Sequence, residues 1–239
     1  GSGRDAKKVL QTRKVTGLKV EYHPRDMNYL KRMVDGVTTG SDAIEVRYTG
    51  SDFGGGPLQN VQMFLAVGAR ANTIGIKATI GEPYTVSGEV WCKDIKRVTN
   101  LTGSSYSGST DEDPYMWSDG SISIGGATKA NVSEWDVSIK NNLERIWGFP
   151  TTANTKTLYK IPEKARDWTG NVTFWFDETT EYDRLIAHNS TGSTIVFTLS
   201  GSKTVTLYGA TWGKTSIPTK PTDLIELKIP FVARSGSLA

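Results

Sequence analysis

Few side chains in this 239-residue chain are of a type that does chemistry: one cysteine, Cys92, and two histidines, His23 and His188. A single cysteine excludes an internal disulfide and any Cys-based zinc site. Cys92 follows Val90 and Trp91 in an alternating stretch and reads as a buried, inert thiol. His23 precedes Pro24 at a strand end, and His188 falls at the end of a short helical pattern, where the helix dipole favours a cation. Serine and aspartate are plentiful, but no G-x-S-x-G elbow is present to build a Ser-His-Asp nucleophile. Gly209-Ala210-Thr211-Trp212-Gly213-Lys214-Thr215 falls one residue short of a phosphate loop and follows a strand without opening a helix. Asp111-Glu112-Asp113 lacks the alternating ligands and closing Glu of a calcium loop and reads as a solvated acidic loop. Gly54-Gly55-Gly56-Pro57 is a flexible turn with no helix behind it to cradle an anion. Asn100, Asn131, Asn171 and Asn189 each begin an Asn-x-Ser/Thr triplet, which a chain rich in Ser and Thr produces by chance. The reading is of a non-enzyme with no catalytic residue, no metal and no cofactor.

Composition supports a globular chain without a strong electrostatic partner. Hydrophobic residues are 37% and charged residues 22%, with a formal charge of +3. The only basic concentration is Lys7, Lys8, Arg13 and Lys14, in an N-terminal arm (1–15) expected to be disordered or to reach a neighbour. That arm begins Gly1-Ser2-Gly3 and has no apolar run, so its start reads as a processed end or an expression scar, not a signal peptide. The longest apolar stretch, Met63–Val67, is far too short to span a bilayer, so no membrane partner is expected.

The elements that must position any site are strands. Period-2 alternation places Ile74, Ile76, Ala78 and Ile80 on one face of Thr73–Ile80, and Trp135, Val137 and Ile139 on one face of Glu134–Lys140. Asn171–Phe176 and Asp223–Phe231 alternate in the same way, and further strands are predicted at Leu18–Tyr22, Ala43–Tyr48, Thr85–Ile95, Ser121–Ile124, Thr194–Leu199 and Lys203–Leu207. Short helices are predicted at Arg25–Val34 and behind the capping box at Thr180–Asp183, where Tyr182, Leu185 and Ile186 share a face. Two long connections stand out: Thr99–Gly120 and Asn141–Asp167. A weak repeat matches Ala71–Ile76 and Val86–Trp91 to Ala130–Trp135 and Trp168–Thr173, consistent with two equivalent hairpins. The fold class is all-β, one sandwich or barrel domain over 16–239.

Several segments in order resemble the tail tube (major tail) proteins of long-tailed bacteriophages and archaeal tailed viruses. Ile80-Gly81-Glu82-Pro83-Tyr84 followed by Thr85–Ile95 is similar to that family's "GEP, strand, KD" stretch. Val132–Lys140 followed by Asn141-Asn142-Leu143-Glu144 resembles its "strand, NNLE" signature. Trp168–Asp177 is similar to its "TGSLT" strand, Tyr182-Asp183 to its helix, and Asp223–Arg234 to its closing strand. The likeness spans roughly residues 68–234; the first 60 residues match less clearly, and the Thr99–Gly120 loop has no obvious counterpart.

The resemblance implies a structural subunit of a virion tail, assembled in the host cytoplasm into stacked hexameric rings through which DNA passes. It also implies two long hairpins per subunit contributing to an inter-subunit inner barrel, with a helix outside. The implied partners are further copies, other tail proteins such as tape measure, terminator or sheath, and DNA held without specificity. On the alternation above, the lumen face would carry Lys77, Thr79, Glu89, Lys93, Glu134, Asp136, Ser138, Lys140 and Thr173, whose charges nearly cancel. Asn141, Asn142, Leu143, Glu144, Ile146, Trp147, Phe149, Leu158 and Tyr159 are the expected contacts to a neighbouring subunit or ring, with folding back onto the chain's own core as the alternative. The competing function is a monomeric β-sandwich module that binds carbohydrate through Trp91, Trp117, Trp175 and Trp212; an esterase-like hydrolase is a third.

Overall fold

The computed structural model describes residues 16–35, 42–48, 62–98, 113–148, 158–175, 192–215 and 226–239. Its strands are β1 (Thr16–Tyr22), β2 (Asp42–Tyr48), β3 (Gln62–Thr79), β4 (Thr85–Cys92), β5 (Asp94–Val98), β6 (Ser121–Ile124), β7 (Ala127–Lys129) and β8 (Val132–Lys140). They continue with β9 (Ile146–Trp147), β10 (Leu158–Lys160), β11 (Asp167–Trp175), β12 (Ser193–Ser200), β13 (Lys203–Trp212), β14 (Glu226–Ala233) and β15 (Ser235–Leu238). The helix α1 spans Asn28–Asp35, where Arg25–Val34 was predicted. Asp26 Oδ1 accepts the Asn28 backbone N–H at 2.8 Å and caps its start. The Thr180–Asp183 helix prediction lies outside the described residues.

One antiparallel sheet runs β1-β4-β3-β8-β11-β14 and then continues through β13-β12-β6-β7. It folds on itself at β13. Residues Val205–Tyr208 of that strand pair β15, whereas Thr211 and Trp212 pair β14. Between the two sets Gly209 adopts a φ of 62°, a left-handed value that glycine takes without strain, and the strand turns the corner there. The result is two layers with one core.

The inner faces meet through an aromatic series. Trp135 lies stacked on Phe197 at 4.3 Å between ring centroids and touches Tyr84 at 5.7 Å. Phe197 touches Phe231 at 6.3 Å, and Trp212 meets the Phe231 ring edge-on at 6.1 Å. Ile195, Leu199, Val205 and Leu207 from the second layer are fully buried against Ile139, Val172 and Ile229 from the first. At the β1/β4 end the second layer gives way to α1, whose Leu30, Met33 and Val34 are buried.

The two-hairpin pattern is realised as four adjacent strands, β4-β3-β8-β11. The returning strand of each hairpin carries one core-facing glycine at the matched repeat position. A Cβ on Gly88 would overlap Met33 Cε of α1; one on Gly170 would overlap the Asp136 carbonyl oxygen and lie 2.5 Å from Phe231 Cζ. These glycines let the covering layer approach the backbone directly.

Three strand expectations change. β3 extends to 18 residues because its first half, beyond the alternating stretch, pairs with β2 and β5. The strand expected over Thr85–Ile95 divides at Lys93 into β4 and β5, both antiparallel to β3. The division faces Gly68, whose φ of 68° bends β3 at the same level. Ile80 lies one residue past the end of β3 and is 47% exposed, so the core face stops at Ala78.

Candidate functional site: a polar sheet face and its two ends

The residues that alternate with the buried side chains of β4, β3, β8 and β11 form a continuous polar face. Backbone register aligns Lys77 with Thr85 and Asp136, and Asp136 in turn with Asn171. A second row aligns Thr79, Glu134 and Thr173. Further along, Lys19, Glu89, Thr73 and Lys140 share a row. Between these rows Glu21, Ser87, Gly75, Ser138 and Thr169 line up, and the small residues among them leave a shallow groove.

Four of the charges on this face, Lys77, Glu134, Asp136 and Glu89, have local partners. Lys77 Nζ lies 3.6 Å from Glu134 Oε1. Asn171 Nδ2 donates to both Asp136 carboxylate oxygens at 3.1 and 2.9 Å. Glu89 accepts from Trp91 Nε1 at 3.0 Å and from Asn72 Nδ2 at 3.4 Å. Of the nine residues expected on a lumen face, Lys77, Thr79, Glu89, Glu134, Asp136, Ser138, Lys140 and Thr173 are brought together here. Thr173 is buried, and Ser133 beside it donates to the Thr173 carbonyl at 3.5 Å, where the β8–β11 register shifts. Lys93 stands apart at the β4–β5 bend, and a Cβ on Gly68 would lie 2.7 Å from its Cγ.

One end of the face is the β3–β4 turn. Gly81 has a φ of 78°, and Glu82 N–H donates to the Thr79 carbonyl at 3.1 Å. The segment 113–120 crosses this end: Tyr84 N–H donates to the Tyr115 carbonyl, and Trp117 N–H to that of Glu82. A groove of about 200 Å³ opens there, lined by Ile80, Tyr84, Trp117, Trp135 and Trp175 among others. The Tyr84 hydroxyl is pushed up to about 12 by burial, with Asp119 adding to the effect.

The opposite end is built by Asn141-Asn142-Leu143-Glu144. Asn141 is buried; its Nδ2 donates to the Ala71 carbonyl of β3 at 2.9 Å and to that of Met33 in α1 at 3.5 Å. Asn142 takes a left-handed φ of 46°, and its Nδ2 donates to the Ala165 carbonyl and to Asp167 Oδ2 at 2.8 and 2.7 Å. Leu143 donates its N–H to Asn72 Oδ1 and packs with Ile161, Trp91 and Trp147 in a small cluster separate from the main core. Glu144 pairs with Lys164 at 2.7 Å. Arg145 lies 3.8 Å over the Trp91 ring.

The NNLE segment thus clamps the long connection onto its own sheet. Asn141 and Leu143 are spent on internal contacts, while Glu144 and Ile146 point outward and Trp147 is partly buried. Phe149 lies outside the described residues; Leu158 and Tyr159 belong to β10, paired with β9. Sequence reasoning missed the position of Trp91 on the polar face: it shares alternation with Glu89 and Ser87, but its cover, Arg145, is 54 residues away in sequence and carries no local signal.

The other chemistry-bearing residues have structural places. Cys92 is fully buried, and burial raises its thiol, with Arg145 pulling in the opposite direction. His23 Nδ1 lies 3.0 Å from the Tyr84 carbonyl oxygen. Gly209-Ala210-Thr211-Trp212 is strand β13, not a loop before a helix. His188, Asp111 and Glu112 lie outside the described residues. The four tryptophans of the carbohydrate reading are partly buried, with Trp91 beneath Arg145 and Trp212 against Phe231. No helix among the described residues is long and apolar enough to cross a membrane.

A protein-family model described as phage tail tube protein matches residues 1–233. No curated protein matches the chain.

Proposed function

The chain belongs to the phage tail tube protein family, and from that premise we propose that it closes into hexameric rings stacked around a DNA-conducting lumen. As a tail tube protein it is a structural component of the virion tail. The observation that supports the finer reading is the polar face of β4-β3-β8-β11, which lies opposite the core and spans two adjacent hairpins. Copies placed side by side extend such a sheet into a barrel, whose closure removes the exposed edges that otherwise invite uncontrolled pairing. A head-to-tail arrangement that closes gives a ring.

The face suits a conduit because it offers DNA no net grip. Its cations Lys19, Lys77 and Lys140 are matched by Glu21, Glu89, Glu134 and Asp136. A wall rich in Lys and Arg would release counterions from the phosphates, bind the duplex and slow its passage. The subunit acts structurally, without catalysis or cofactor, and its partners are other copies, the remaining tail proteins and passing DNA. Residues 16–239 serve as the tube domain, with 1–15 as an arm.

Negative-stain microscopy with light scattering on the purified chain tests this. Rings or tubes with a central channel are the expected result. A strict monomer at high concentration, above all one that binds glycans, overturns it.

A further inference from the structure

The two ends of the polar face differ in shape and in charge. β3 leaves Asn72 at the clamped end and reaches the turn at Ile80, while β8 runs the other way, so the two ends stand about 26 Å apart along the strands. At the turn end Ile80 is 47% exposed on the rim of the 200 Å³ groove, beside Tyr84, Trp117 and Trp175. At the clamped end β9 turns Trp147 toward Leu143 and Ile161 and leaves Ile146 outward, 42% exposed. Charges follow the same polarity. The described residues around the turn present Glu82, Asp113 and Asp119 against Lys129. The clamped end, 140–148 and 158–167, presents Lys140, Arg145, Lys160, Lys164 and Arg166 against Glu144, Glu163 and Asp167.

We infer that the occupant of the turn-end groove is the β9–β10 end of a second copy of this chain, with Ile146 seated against Ile80 and the acidic rim facing the basic one. The two patches are different surfaces of one molecule, so the contact is heterologous. A contact between opposite ends of the same strands does not close on itself; it repeats along the strand direction and stacks copies axially. A pairing of like ends would bring two acidic or two basic rims together. This inference rests on the tube reading, to which it adds the residues that join one ring to the next.

The test is a disulfide ladder. An Ile80→Cys/Ile146→Cys double variant is assembled and treated with diamide, which takes up the two electrons and two protons released as each thiol pair closes. Each chain then has one donor and one acceptor end, so non-reducing gels show covalent multimers extending well beyond dimers, while each single variant stays monomeric. Cys92 is fully buried and remains in place. Tubes seen by microscopy in the double variant without a ladder overturn the contact and leave the tube reading standing. Single variants that cross-link as strongly as the double also overturn it, because they show like ends meeting. Absence of rings and tubes in the unmodified protein overturns the tube reading itself.

Discussion

Replacing Gly170 by alanine perturbs the polar face from behind. Gly170 sits in β11, opposite Val137 on one side and Phe231 on the other, facing the core. The added Cβ would overlap the Asp136 carbonyl oxygen and approach Phe231 Cζ to 2.5 Å. The ring can rotate away only into Phe197 and Trp212, its packed neighbours. The carbonyl belongs to β8, whose backbone is held in register by β3 and β11, so it cannot yield cheaply. Overpacking of this kind costs about 2–3 kcal/mol. For a chain of this size each kcal/mol lowers the melting temperature by about 2–4 °C, so Gly170→Ala melts roughly 5–10 °C below the unmodified protein in a calorimetric scan. Gly126→Ala is the control: its Cβ meets nothing within 4 Å, but its φ is 85°, so its cost is backbone strain of about 1–2 kcal/mol. Adding Phe231→Leu to Gly170→Ala removes the ring conflict but not the carbonyl overlap, so it restores little. A Gly170→Ala melting point within 1 °C of the unmodified protein would show that the two layers are not held at this spacing.

Three further outcomes follow from the same geometry. Asn142→Ala loses two side-chain hydrogen bonds and a residue that tolerates the left-handed turn, so its urea midpoint falls by the equivalent of about 1–3 kcal/mol, whereas Asn142→Gly, which keeps the turn, falls less. The Tyr84 hydroxyl has a folded value raised to about 12 from 10.0, so the folded state holds this proton more tightly than the unfolded state. Its contribution is complete below pH 10 and is lost as pH rises toward 12; alkaline unfolding followed by tyrosinate absorbance shows this loss, and Tyr84→Phe removes it. Glu134→Lys/Asp136→Lys changes the face by four positive charges per subunit; assembled tubes then retard duplex DNA in a salt-sensitive gel shift, and no retardation would refute a lumen position for these residues.

Period-2 alternation made the sheets and their core face legible, because a one-residue slip would turn Trp135, Val137 and Ile139 to solvent. The second half of β3 was readable for that reason, and its first half was not. Met63–Val67 is a continuous apolar run without alternation, and its strand character comes from pairing with β2 and β5. The repeat was visible as similar letters, but the matched glycines acquire meaning only from Met33 and Phe231, which reach them from distant elements. In the NNLE segment the residue types pointed to a special place. They did not show that Asn141 binds α1 and β3, since those carbonyls come from residues 108 and 70 positions away.

β3 is the central member of two different sheets, flanked by β4 and β8 at one end and by β2 and β5 at the other. An unbroken backbone therefore links the β2–β3–β5 pairing to the polar face, and it bends at Gly68. Any displacement of β2 and β5 therefore reaches the polar face along one strand, with no loop between them. Each half of β3 keeps its own partners on either side of that bend, so hydrogen exchange can expose one half while the other stays paired.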